Sequence, residues 1–178
     1  MFSKIIRAND RNLLPRSVQV IHQFAGTDSR EGGFHSAPTL DGLHWLQAQA
    51  PGDVAAIRWL NVNVQGAPTI LEAVGPDYDP AGGGRVSTFT GLPAVLEWSG
   101  HEAQWAHDQG TREQDVKTLY TTTDLAASRA LLQRYDVQYV FVGSLERTEF
   151  PPAGLSKFAQ LGTPVFRDGE TTVYKIGS

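Results

Sequence analysis

The sequence predicts an α/β layered domain, with a mostly parallel central sheet flanked by helices and an antiparallel C-terminal hairpin at one edge. Three observations carry this. Amphipathic segments alternate with short apolar runs, the pattern of helices crossing between strands. The run Gln138–Gly143 (QYVFVG) follows a capped helix directly and reads as a buried strand. Two short β-branched runs then flank Asp168-Gly169, a dipeptide that closes tight hairpins.

Taken in order, residues 1–36 are the least patterned: Val18–Phe24 alone suits a short strand or helical turn, and Thr27–Gly33 is polar and glycine-rich. We therefore expect a poorly patterned arm over 1–32 and a single α/β domain over 33–178. Leu40, Leu43, Trp45 and Leu46 recur at helical spacing up to Pro51-Gly52. Asp53 stands where an N-cap belongs, ahead of a helix over 53–64 carrying Val54, Ile57, Leu60 and Val64. Pro68–Val74 reads as a buried strand, Gly75–Gly84 as a loop and Arg85–Thr90 as the next strand. Ser99 caps a short helix reaching His107, and Arg112–Tyr120 forms an amphipathic one. Asp124 caps a stronger helix running to residue 136, before the strand at 138–143. Leu155, Phe158 and Leu161 mark a short helix, and the hairpin pairs 164–167 with 171–176. Right-handed crossovers place helices 53–64 and 124–136 against the sheet faces.

Composition narrows the function. With 15 basic against 19 acidic residues the net charge is −4, which argues against nucleic acid as a partner. The longest stretch without a charged residue is Trp59–Leu71, 13 residues, well short of the roughly 20 that a membrane helix needs. No transmembrane segment is expected. The first seven residues carry basic groups but no apolar core, so no secretory signal is read there. The absence of cysteine removes disulfides, thiolate metal sites and a cysteine nucleophile.

Several residue groups could carry chemistry. His101-Glu102-Ala103-Gln104-Trp105 begins like the zinc motif H-E-x-x-H, but Trp105 stands in the second ligand position. His107 falls about 240° around a helix and cannot replace it. Neither a metal nor a cofactor is expected. Gly82-Gly83-Gly84 precedes a predicted strand, lacks the lysine of a phosphate loop, and reads as a flexible connector. Glu72, inside ILEAV, is costly to bury alone; it is either paired structurally, with Arg85 on a neighbouring strand, or a general acid with a raised pKa. Around it stand Glu97, Glu102, Asp115 and Glu146, with Arg85, Arg112 and Arg147. Trp98, Trp105 and Tyr120, with His101 and Gln104, suit either a core or a sugar-stacking surface. No nucleophile elbow is present.

The block Arg85–Trp105, RVSTFTGLPAVLEWSGHEAQW, interleaves Arg85, Ser87, Thr88, Thr90, His101, Glu102 and Gln104 with Pro93, Trp98 and Trp105. It resembles the soluble C-terminal portion of the YYY family of multi-spanning membrane proteins, with its pattern G-R-V-S-x-x-T-G-L-P-x-V-L-G-W-x-x-H-E-x-Q-W-R. TLDGLHWL, AIRWLN, TILEAVG, DVKTLY, LLQRYDVQYVFVGSLER and the TVYKI ending extend the resemblance over about residues 33–178. Two positions depart: Glu97 stands for a usual glycine and Ala106 for a usual arginine.

The resemblance implies the soluble domain of a GT-C-like membrane glycosyltransferase, which uses a lipid-linked sugar. Glu72, Arg85, His101, Glu102, Trp105, Arg112, Asp115, Glu146 and Arg147 fall on its motif positions. Several of them are expected to converge near the C-terminal ends of the strands, to bind a ligand or to lock the 90–112 excursion in place. The implied partners are a membrane-embedded glycosyltransferase half and a lipid-linked sugar or glycan acceptor. The implied place is the extracytoplasmic face of the membrane, or the cytoplasm for a free-standing chain. A domain without the membrane half is expected to bind or scaffold rather than catalyse. Two alternatives stand beside this: a free-standing hydrolase using Glu72 or Glu102, and a purely structural, partner-binding domain.

Overall fold

The computed structural model describes residues 41–76, 79, 82–106 and 108–177. The chain divides into two units, Met1–Trp45 and Leu46–Ser178. The arm expected over 1–32, with its short element at 18–24, lies outside the described residues. Helix α1 (Gly42–Gln49) begins where Asp41 accepts the Leu43 amide through Oδ1 at 3.0 Å. Helix α2 (Pro51–Asn63) follows, with proline in its first turn, where the missing N–H is not needed.

From strand β1 (Thr69–Leu71) the chain passes through α3 (Arg85–Thr90), α4 (Ser99–Gln104), α5 (Arg112–Thr121) and α6 (Leu125–Arg134) before returning as β2 (Val137–Val142). Three short helices, α7 (Ser144–Glu149), α8 (Pro152–Ser156) and α9 (Phe158–Leu161), lead to the hairpin of β3 (Gly162–Asp168) and β4 (Thr171–Ile176). The sheet order is β1-β2-β4-β3. The α/β class and the hairpin at one edge are as the sequence predicts. The sheet is mixed: β1 and β2 pair in parallel, whereas β2–β4 and β4–β3 are antiparallel.

The parallel part is small for a definite reason. Arg85–Thr90, expected as a strand, is a helix, and β1 stops at Leu71 because the next residue turns to that helix. The outer edge of β1 is met instead by the Pro93–Val95 segment, through a parallel bridge between Ile70 and Ala94. Ile70 donates to the Pro93 carbonyl at 2.8 Å, and Val95 donates back to Ile70 at 3.3 Å.

Side chains alternate along strands, so each face gathers its own layer. Leu71, Val140, Val142 and Tyr174 join Val116, Leu119 and Tyr120 of α5, Leu132 of α6, and Leu155 and Phe158 in one core. Their neighbours Ile70, Phe141 and Val173 are also buried and, by alternation, face the layer in which α2 packs on β3 and β4. Tyr120, considered for a sugar-stacking surface, belongs to the first core. Its ring stacks on Phe150 at 4.8 Å and its hydroxyl lies 2.8 Å from the Phe141 carbonyl and 3.1 Å from that of Leu71.

Asp124 caps α6 as expected, accepting from Ala126 and Ala127 amides at 2.8 and 3.1 Å. An alanine there leaves these two amides to water. Asp124→Ala should lower stability by about 1 kcal/mol, read as a lower urea midpoint with an unchanged m-value.

Candidate functional site

Where the parallel strands end, acids and one arginine converge in the interior. Arg85, the first residue of α3, is 1% exposed. Its Nε donates to Asp53 Oδ2 at 3.0 Å, and its two terminal nitrogens hold Glu146 in a fork at 3.3 and 2.7 Å. The guanidinium also lies 5.1 Å from the centre of the Phe141 ring.

Each acid has further donors. Glu146, at the third position of α7, accepts the Gly143 amide at 2.8 Å, one half of a capping box whose other half a glycine cannot supply. Its second oxygen takes the Ala73 amide at 2.9 Å. Asp53 accepts the hydroxyls of Ser144 and Thr171, both at 2.7 Å. Glu72 takes the amides of Val86 and Ser87, both at 2.8 Å. Among the described residues no buried side-chain nitrogen or oxygen lacks a hydrogen-bond partner.

These contacts correct two expectations. Glu72 and Arg85 are not a strand-to-strand ion pair: Arg85 pairs with Asp53 and Glu146, while Glu72 binds the first amides of α3. Asp53 is not an N-cap either, but a buried acid inside the first turn of α2. It is the member of the cluster that sequence reasoning missed. Its local setting, Pro-Gly-Asp before an apolar run, is that of a helix start, and its partners lie 32 to 118 residues away.

Electrostatics follow the packing. Burial pushes the Asp53 carboxyl upward, but the Arg85 charge and the Ser144 and Thr171 hydrogen bonds outweigh it and hold the group below its ordinary value. For Glu72 burial prevails over Arg85 and the α3 amides, and the carboxyl lies above its ordinary value. Burial opposes the Arg85 charge, yet Glu146 and Asp53 together hold that guanidinium more firmly protonated than usual. A raised Glu72 suits the general-acid alternative, but its oxygens are taken by amides and the residue is 1% exposed.

The glycine run before Arg85 is not a loose connector. Gly82, Gly83 and Gly84 are buried and open α3. A Cβ on Gly83 would lie 2.0 Å from the Gly75 nitrogen, so two backbones cross where only glycine fits. Gly84 has φ of 75°, a left-handed conformation. The topology does bring a strand, a glycine run and a helix N-terminus together, as phosphate loops do, but here the anion at the amides is the chain's own Glu72.

The second half of the 85–105 block faces outward. Trp98 Nε1 donates to the Gly83 carbonyl at 2.8 Å. Its ring stacks on His101 at 6.0 Å, and His101 stacks on Trp105 at 6.4 Å. Trp105, 69% exposed, ends this aromatic column along α4. Glu102 is half-buried and Gln104 exposed on the same helix.

No known protein family and no curated protein matches the sequence. In structure the chain is similar to the C-terminal globular domain of an oligosaccharyltransferase from Archaeoglobus fulgidus. The identity is 9% and the TM-score 0.44, over 69% of this chain and 95% of that one.

The remaining residues singled out in the sequence do not join either group. Thr88 is exposed, and Thr90 closes α3 by donating to the Val86 carbonyl at 2.7 Å. Arg112 is exposed. Asp115 anchors a surface network, accepting from Tyr135 at 2.5 Å, Thr111 at 2.7 Å and Arg134 at 3.2 Å. Arg147 donates to the Glu170 carbonyl at the surface. A cavity of about 490 Å³ lies at the opposite end of β2, beside Asp136, Val137 and Gln138, away from the cluster. Among the described residues no group of histidines and acids could hold a metal ion, and no helix is long and apolar enough to cross a membrane.

Proposed function

We propose that this chain is a non-catalytic carbohydrate-binding and scaffolding domain of a GT-C-like membrane glycosyltransferase system. On this reading it works at the extracytoplasmic face, beside a membrane-embedded half, and engages a lipid-linked sugar or a glycan acceptor. The observation that carries the reading is the aromatic column Trp98–His101–Trp105. It ends in an exposed indole, an apolar face of the kind that receives the C–H face of a pyranose. The 85–105 block supports it further, since its outward half is this column and its inward half holds the column's base. The buried acids are engaged by Arg85, by backbone amides and by hydroxyls, a structural arrangement, and this leaves the hydrolase alternative resting on Glu102.

Titration of the ¹⁵N-labelled chain with cellotriose, chitotriose and mannotriose tests the reading. The Trp105 indole signal should shift on saturable binding by at least one of the three. Truncating an aromatic anchor costs about 2 kcal/mol, so Trp105→Ala should weaken binding ~30-fold with the fold retained. No shift at Trp98 or Trp105 with any trisaccharide at about 10 mM, weaker than any working affinity, would end the proposal.

A further inference from the structure

The exposed column and the buried cluster are joined by a short run of bonds. Glu72 binds the Val86 and Ser87 amides and so fixes the start of α3. Immediately before that start, the Gly83 carbonyl receives the Trp98 indole N–H. A Cβ on Gly84 would lie 2.9 Å from the same indole nitrogen, so the ring is seated directly on the glycine turn. From Trp98 the stack continues through His101 to Trp105. Below the turn, the crossing of Gly83 over Gly75 ties it to the residues that follow Glu72.

We infer that Glu72 is a positioning residue for the aromatic column: it touches no ligand, but sets the place of Trp98, and through it of Trp105, by holding the first turn of α3. This deepens the carbohydrate-binding reading and rests on it for the ligand. The positional claim itself needs no ligand. Helix α3 has six residues, contains β-branched Val86, Thr88 and Thr90, and carries no side-chain cap of its own. An isolated helix of that length does not persist in water, so it depends on tertiary contacts, and besides the Arg85 ion pairs an anion at its N-terminal amides supplies one. Glu72 is that anion. Gln at 72 keeps one acceptor and sets an NH₂ group against the second amide, so one of the two bonds is lost and a donor faces a donor.

The readout is the position of the His101 imidazole protons, shifted upfield by the indoles on either side, together with hydrogen exchange of the Trp98 indole N–H. Two variants probe the link at different points. Glu72→Gln removes the hold on α3, whereas Trp98→Phe keeps a ring but removes the N–H that reaches Gly83. Both should lose most of the upfield shift, and Glu72→Gln should speed Trp98 indole exchange at least ~10-fold, the factor for about 1.4 kcal/mol of lost local protection. Val116→Ala, a change in the other core layer, controls for general loosening and should leave the His101 shift in place. An unaltered His101 shift in Trp98→Phe, or in a folded Glu72→Gln, would overturn the inference. Loss of the shift in both variants, with no trisaccharide bound by the unaltered chain, would uphold the positioning role while removing the carbohydrate reading.

Discussion

Replacing Arg85 with methionine should destabilise the protein by about 4 kcal/mol at pH 7, because removing one partner of a buried charge group leaves the other uncompensated. In this protein two carboxylates lose their counter-charge together: Asp53 at 3.0 Å and Glu146 in the bidentate fork. Glu72 loses a favourable field as well. A typical domain is stable by 5–15 kcal/mol, so most of the margin is at stake. The pH dependence gives the loss a signature. Asp53 has its folded pKa below its ordinary value, so its contribution is present above that value and is lost as pH falls through the lower one. Without Arg85 burial is opposed only by the Ser144 and Thr171 hydrogen bonds, so the folded pKa of Asp53 moves upward and the variant loses less stability than the unaltered chain as the pH falls. The stability difference between the unaltered chain and Arg85→Met should therefore shrink from pH 7 to pH 5. Urea denaturation at both values checks it. A loss under 1 kcal/mol, or a difference that grows at pH 5, would show that the cluster is solvated.

The second large effect concerns Lys157, which is 2% exposed and has no carboxylate against it among the described residues. Its ammonium donates to the Leu119 carbonyl and, at 2.8 Å, to that of Gly154. Both are carbonyls near the ends of short helices, α5 and α8, where a cation is favoured. The ring of Phe158 lies 4.4 Å away. Burial lowers the amine from 10.5 to about 8. Between those values the unfolded chain binds more protons than the folded one, so stability rises with pH across the window. The gain of the unaltered chain relative to Lys157→Met should be about 2 kcal/mol between pH 7 and pH 9.5. Neutral lysine keeps two N–H groups, enough for both carbonyls, so the gain comes without loss of bonds. Parallel stability curves for the two proteins over this range would show that Lys157 stays hydrated in the folded state.

The elements legible in the sequence are those whose signals are local. Asp124 and the apolar run after it announce α6 and β2, and Asp168-Gly169 announces the hairpin. Arg85–Thr90 misleads because Val86, Thr88, Phe89 and Thr90 favour a strand wherever packing does not object. Here packing objects: Gly84 and Gly91 turn left-handed at either end, and an acid 14 residues upstream binds the helical amides. Glu72 stands out in the sequence as costly to bury, with Arg85 and Glu146 among the charged residues around it, and Arg85 and Glu146 do pair. Who pairs with whom was not legible, because Asp53 carries a local signature that fits a helix cap equally well. Likewise Trp98, Trp105 and Tyr120 suit either a core or a stacking surface, and nothing local separates the first two from Tyr120, which the fold takes into the core.

The bond between Asp53 and Thr171 closes a loop of 118 residues. Contacts so far apart form late, since the chain must lose the entropy of the whole loop before they return anything. Until β4 docks, Asp53 and Arg85 lack part of their surroundings, and the half-assembled interior holds charges that water must still reach. Folding should therefore pass its slowest point as the hairpin closes over α2, with α5 and α6 already paired. The ion cluster that ties α2, α3 and α7 together in the finished domain is, on the way there, expected to be among the last parts to assemble.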